Sequence, residues 1–177
     1  MKIQYVIGDA TRPCTSTHLA MIVHCCNDIG AWGAGFVLAL DRAFQGKPGT
    51  QYRTWATHKS QIPGTTGRFT LGEVQYVTVT TAAGVPALVC NIIGQHGTGP
   101  QPRKLRRSPG PPVRYWALAH GLKHVQNHAR TLSGVMGVPV SIHCPRMGCG
   151  LAGGDWQKVE KILSKLHPPV YVYDLSK

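Results

Sequence analysis

A chain of 177 residues can bury one full hydrophobic core but has little room for two, so a single domain spanning 1–177 is expected. Apolar residues make up 42% of the chain, which excludes intrinsic disorder. No stretch reads as a membrane span either, because the longest weakly charged one, 13–40, is interrupted by His18, His24, Asn27, Asp28 and glycines. Only 15% of residues are charged, yet 19 Lys and Arg against 7 Asp and Glu leave a net charge of +12.

Residues 2–7 and 19–24 read as strands, the second nearly continuous in apolar character, as a strand covered on both faces requires. Residues 35–44 read as a helix opening after a glycine loop, and 51–59 as a second, short helix. Residues 71–80 alternate in a β manner, and 87–93 form another buried strand. Four Gly, five Pro and the basic run around Arg103 make 94–112 a long irregular loop. A helix follows over 113–132, with Ala117, Leu118, Leu122, Val125 and Ala129 on one side and His120, Lys123, His124 and His128 largely on the other. A strand over 138–143, a helix over 156–166 and a last strand over 170–174 complete an α/β chain, read as a three-layer α/β/α sandwich.

Charge and cysteine placement narrow the partners. Between Val74 and Gly154 there is no Asp or Glu, and eight Lys and Arg there supply +8 of the +12. The run could be a solvated basic surface, or it could attract a polyanion through a field that weakens with salt. The six cysteines contain no Cys-x-x-Cys pair and read as reduced thiols, mostly in apolar strands. His120, His124 and His128 recur at helical spacing and could hold zinc, but no carboxylate or cysteine completes the set, so neither metal nor cofactor is expected. The opening residues carry no apolar signal segment, so a cytoplasmic location is expected, or a nuclear one in a eukaryotic or viral host.

Two glycine-rich turns follow buried strands and precede helices. One is Asn27-Asp28-Ile29-Gly30-Ala31-Trp32-Gly33-Ala34-Gly35-Phe36; the other runs from Pro145-Arg146-Met147-Gly148 through Cys149-Gly150-Leu151-Ala152 to Gly153-Gly154-Asp155-Trp156. Either alone could be a tight connection needing positive φ. Two at strand C-terminal ends could face each other across one crevice and hold a diphosphate on backbone N–H groups. Neither is a Walker loop, since no Gly-Lys-Ser/Thr follows.

Together with Gly8-Asp9-Ala10-Thr11, His24-Cys25-Cys26-Asn27-Asp28 and Asn91-Ile92-Ile93-Gly94-Gln95, these loops resemble the macrodomain family over nearly the whole chain. The likeness is to the branch of the terminal ADP-ribose glycohydrolase and its bacterial and viral relatives. The resemblance implies a mixed, mostly parallel six-stranded sheet, a cleft for ADP-ribose, and hydrolysis of an ADP-ribosyl linkage at the distal ribose, removing mono-ADP-ribose from protein or nucleic acid. It implies that Asp9 and Ala10 meet the adenine, and that Gly30, Gly33, Ala34, Gly35 and Phe36 form the first diphosphate loop. Gly148, Cys149, Gly150 and Leu151 would form the second, with Asn27, Asp28, Gly94, Gln95 and His96 near the distal ribose.

Where the human-type enzyme carries a lysine after the fourth strand and an aspartate after Gly-Cys-Gly-Leu, this chain has Gly94-Gln95 and Ala152, which argues against a covalent lysine route. Asp155 is then the expected catalytic carboxylate, with Asn27 and Gln95 beside it, because glycosidic cleavage passes through an oxocarbenium-like state. Its alternative role is a helix N-cap. A reader without turnover and an ADP-ribose 1″-phosphate phosphatase are the competing activities. Arg103, Lys104, Arg106 and Arg107 are the expected contacts to an attached nucleic acid. No membrane partner and a monomeric state are expected.

Overall fold

The computed structural model describes residues 3–14, 17–98 and 111–175. Its strands are β1 (Gln4–Ile7), β2 (Leu19–Asn27), β3 (Val74–Thr80), β4 (Pro86–Gln95), β5 (Val140–Pro145) and β6 (Val170–Asp174). Its helices are α1 (Phe36–Phe44), α2 (Lys47–His58), α3 (Tyr115–Met136) and α4 (Trp156–Leu163). The strands form one sheet in the order β1-β6-β5-β2-β4-β3, parallel throughout except for β3 against β4. This is the mixed, mostly parallel α/β sandwich expected from the sequence. Among the described residues no helix is long and apolar enough to cross a membrane.

Each face of the sheet has its own core. Met21, Val23, Ile92, Ile142, Cys144 and Val172 pack under α3 and α4, whereas Ala20, Ile22, Val77 and Val89 pack under Leu40 and Phe44 of α1. The apolar run of β2 is thus buried on both sides, as its composition requires. At α3 the approach is very close: a Cβ on Gly121 would lie 2.3 Å from Ile92 Cγ2, so only glycine lets the helix settle on β4.

Several boundaries differ from the sequence reading, among them the end of α3 at Met136 rather than 132 and those of α2, β2 and β4. Helix α2 begins at Lys47 rather than 51, because Pro48 has no N–H to lose in a first turn. Gly49 is tolerated inside it because the Trp32 indole fills the space a side chain would take, a Cβ there lying 2.5 Å from Nε1. Strand β4 runs on through Gly94 and Gln95, so the irregular segment does not begin at 94. The cause is β2, which continues to Asn27 and pairs it with Gln95 across a bulge after Cys26. The chain then returns from Val113, bridged to Gln95, into α3.

Candidate functional site: a cleft between two glycine loops

The parallel strands β1, β6, β5, β2 and β4 end at one edge of the sheet, where open α/β sheets place their ligands. A cleft of about 610 Å³ lies there, within the usual range for cofactor-sized sites. Its walls are the two glycine loops. Gly33, Ala34, Gly35, Phe36 and Val37 line one side, Met147, Gly148, Gly150, Leu151 and Ala152 the other, and Asn27, Gln95 and Thr98 one end.

The first loop is shaped by Asn27. Its side-chain oxygen accepts from Ile29 N–H at 3.1 Å and Ala31 N–H at 3.0 Å, its amide donates to the Ala31 carbonyl at 2.6 Å, and the Tyr52 hydroxyl donates to its oxygen at 3.1 Å and to its carbonyl. The loop ends at Gly35, whose φ of 78° and ψ of −144° open α1 without a side-chain cap or an acidic residue in the first turn. The positive end of the α1 dipole therefore faces the cleft unopposed.

The second loop closes on itself. Gly154 N–H donates to Gly148 carbonyl at 2.8 Å and Gly153 N–H to Gly150 carbonyl at 2.9 Å, with positive φ at Gly148 and Gly153. The amides of Gly33, Ala34, Gly35, Gly150, Leu151 and Ala152 have no protein acceptor among the described residues. Two cavity-lining loops with unpaired backbone donors can hold an anion without a charged side chain.

The side chains around this frame are mostly committed. Asp28 accepts from Gly97 N–H at 2.8 Å and meets His96 Nδ1 at 2.7 Å, fixing the exit from β4. Gln95 donates to the Gly97 carbonyl at 2.8 Å. Asp155 is exposed at the N-cap of α4, accepting from Gln157 N–H at 3.0 Å, and its own N–H donates to the Tyr115 hydroxyl at 2.8 Å. The Arg146 guanidinium, the one charged group in the cleft wall among the described residues, is held bidentate by Asp174 at 2.6 and 2.8 Å and lies over the Tyr5 and Trp156 rings. The pairing raises the Arg146 pKa and lowers that of Asp174, chiefly through those hydrogen bonds.

On the cleft floor, His24 is buried against Trp32 and Phe36, and its Nε2 meets Asn91 Oδ1 at 2.6 Å. Burial drives its pKa down to about 4, against a smaller opposing effect of the Asn91 hydrogen bond, so it is neutral. Burial also pushes the Cys25 thiol up to about 12, which leaves no thiolate nucleophile there.

Of the residues singled out from the sequence, Asn27, Gly33, Ala34, Gly35, Phe36, Gln95, Gly148, Gly150 and Leu151 are brought together in the cleft wall. Asp9, Ala10, Asp28, Gly30, Gly94, His96, Cys149 and Asp155 are not among the lining residues. Asp9 instead accepts from Thr11 N–H at 2.9 Å within its own turn. Arg103, Lys104, Arg106 and Arg107 lie outside the described residues. Sequence reasoning missed His24, Thr98, Arg146 and Met147 as wall residues. Arg146 and Met147 carried a signal as part of the second glycine-rich turn, and His24 as a polar residue at the end of an apolar strand on the same face as Ala20 and Ile22.

The expectation that no carboxylate completes the histidine set is corrected by the fold. Glu73 lies beside His120 and His124, while His128 packs its ring on Tyr76 at 4.2 Å.

A mixed, parallel-rich sheet covered by helices, with a cleft between two glycine loops at its strand ends, defines the class of open α/β sandwich domains. No family model matches the chain. Its structure superposes on a macrodomain protein from Streptomyces coelicolor with a TM-score of 0.73 and 37% identity, covering 98% of this chain and 99% of that one. A protein of unknown function from Bacteroides thetaiotaomicron gives a TM-score of 0.80 and 39% identity over 99% of both chains. The chain belongs to the macrodomain family.

More distant structures share the fold: the macrodomain of Mycobacterium tuberculosis DarG, at 21% identity, TM-score 0.66 and 99% of both chains, and an Oceanobacillus iheyensis macrodomain mutant with ADPR, at 16% identity, TM-score 0.59, 97% of this chain and 83% of that one. Among curated proteins, chromodomain-helicase-DNA-binding protein 1-like from Danio rerio is 29% identical over 92% of the chain. The match spans only 14% of that relative's length.

Proposed function

We propose that the cleft binds ADP-ribose and that the chain acts on ADP-ribosyl groups carried by macromolecules. The observation that carries this reading is the pair of loops with unpaired amides on opposite walls of one cleft, the first of them ending in the uncapped N-terminus of α1. They offer donors for a diphosphate without a lysine, and Arg146 is already occupied by Asp174. The Oceanobacillus iheyensis relative solved with ADPR supports the same reading. The diphosphate would lie between the loops, the adenine toward Asp9 and the distal ribose at Asn27, Gln95 and Thr98.

Hydrolysis at the distal ribose is the activity we assign to this site. Asp155, at the end of the second loop, is the carboxylate that would steady the oxocarbenium-like state or polarise water, and Gln95 would position the ribose. A reader without turnover is the second reading, favoured by one specific observation: among the described residues no Asp or Glu lines the cleft, and the Asp155 carboxylate caps α4. The basic run at Arg103, Lys104, Arg106 and Arg107 would hold an attached nucleic acid strand.

Calorimetry with ADP-ribose tests the site, and incubation with mono-ADP-ribosylated protein and DNA tests turnover. Binding that disappears in Gly35→Val is expected, because the valine would occupy a left-handed φ beside Leu151. Release of ADP-ribose that is lost in Asp155→Ala supports the hydrolase. Tight binding without release supports the reader, and absence of binding refutes the assignment. If the basic run holds nucleic acid, turnover of DNA-linked substrate falls steeply with salt while free ADP-ribose binding changes little.

A further inference from the structure

Outside the cleft, α3 and the turn entering β3 bring three potential metal ligands together. His120 and His124 stand one turn apart on α3, their ring centroids 4.8 Å apart and edge to face. Glu73 reaches them from the residue before β3, and one ligand atom from each of the three lies within 4.8 Å of the others.

The backbone holds this arrangement in place. Gly72 N–H donates to the Ile93 carbonyl at 2.8 Å and Ile93 N–H to the Glu73 carbonyl at 3.0 Å, while Gly121 lets α3 rest on β4. The Thr66 hydroxyl, which accepts from Val74 N–H at 2.9 Å, donates to Oε2 of Glu73, and Oε1 has no hydrogen-bond partner among the described residues. This is the kind of outer hydrogen bond that orients a ligating carboxylate.

Two glycines keep the space open. A Cβ on Gly67 would lie 2.7 Å from Glu73 Oε2, and one on Gly72 would lie 3.2 Å from His120 Cδ2. Neither imidazole has a hydrogen-bond partner among the described residues, so their lone pairs are not taken by other groups.

We propose that Glu73, His120 and His124 form a site for a divalent transition-metal ion of the zinc class, completed by water. Two imidazoles and one carboxylate with an open position are a ligand set that zinc accepts. Bonds of about 2.0–2.1 Å put tetrahedral ligands roughly 3.4 Å apart, so the three atoms draw in by about an ångström, within the rotameric reach of exposed His120 and of Glu73. The ion would clamp the segment entering β3 to α3. It would also give Glu73 a role separate from ADP-ribose binding.

The test is a Zn²⁺ titration of the tag-free full chain against a chelating dye, with Co²⁺ loading to read the ligands. Expected are one equivalent per chain, visible Co²⁺ bands without the near-ultraviolet thiolate band a cysteine ligand gives, and at least tenfold weaker binding in His120→Ala and in Glu73→Gln. Zn²⁺ should raise the melting temperature of the wild type but not of His120→Ala, whose exposed position lets the metal-free variant melt where the metal-free wild type does. His58→Ala, on α2, should bind like the wild type. A thiolate band, no one-equivalent binding, or variants that bind as tightly as the wild type would overturn the site.

Discussion

Acid should unfold this protein through two histidines rather than through its carboxylates. His24 is 2% and His143 0% exposed, and burial brings both to about 4. His143 lies between the Ser141 hydroxyl and the Tyr173 hydroxyl, each 2.8 Å from a ring nitrogen. In the unfolded chain both imidazoles return to about 6.5. Below that pH the unfolded state takes up protons that the folded state refuses, so the stability each contributes is full above pH 6.5 and is lost as pH falls toward 4.

A shift of that size is about 3 kcal/mol per histidine over the whole window and about 2 kcal/mol by pH 5. Together they remove roughly 4 kcal/mol between pH 8 and pH 5, against a typical total of about 5–15 kcal/mol. Only 7 Asp and Glu are present, so carboxylate titration adds little in this range. Urea unfolding at pH 8, 7, 6 and 5 and constant ionic strength measures the slope, and His24→Gln or His143→Gln should each reduce it by about half. Stability that stays flat from pH 7 to pH 5 would refute the reasoning.

Other outcomes follow from packing. Gly121→Ala places a methyl 2.3 Å from Ile92 Cγ2 and should cost about 1–3 kcal/mol by urea denaturation without altering ADP-ribose affinity in the folded fraction. Asn27→Ala leaves the Ile29 and Ala31 amides and the Tyr52 hydroxyl without their shared acceptor; it should cost about 2–3 kcal/mol and weaken ADP-ribose at least tenfold by calorimetry. All six cysteines are free, and Cys14 is exposed, whereas burial pushes Cys25 and Cys144 up to about 12. Iodoacetamide at pH 8 should therefore label Cys14 quickly and those two only after denaturation, as mass spectrometry would show.

Much of the architecture is legible in local pattern. The unbroken apolar run at 19–23 marks a central strand, and Val37, Leu40 and Phe44 mark the buried stripe of α1. What local pattern could not show depends on pairing between distant segments. Gly94 and Gln95 look like loop residues until β2, running on to Asn27, draws them into the sheet. Asn27 looks like a ligand contact, and only the arrival of Tyr52 from α2 reveals it as the organiser of its own loop. Glu73 is 47 residues from His120, so no spacing rule joins it to the histidines that the fold sets beside it.

The Tyr52 hydroxyl, buried and bonded to both the carbonyl and the side chain of Asn27, ties the first glycine loop to a helix that does not line the cleft. The entropy of ordering that loop is thus lost when the chain folds, not when a ligand arrives. Affinity at this wall can then rest on few contacts, since none of their free energy goes to arranging the donors.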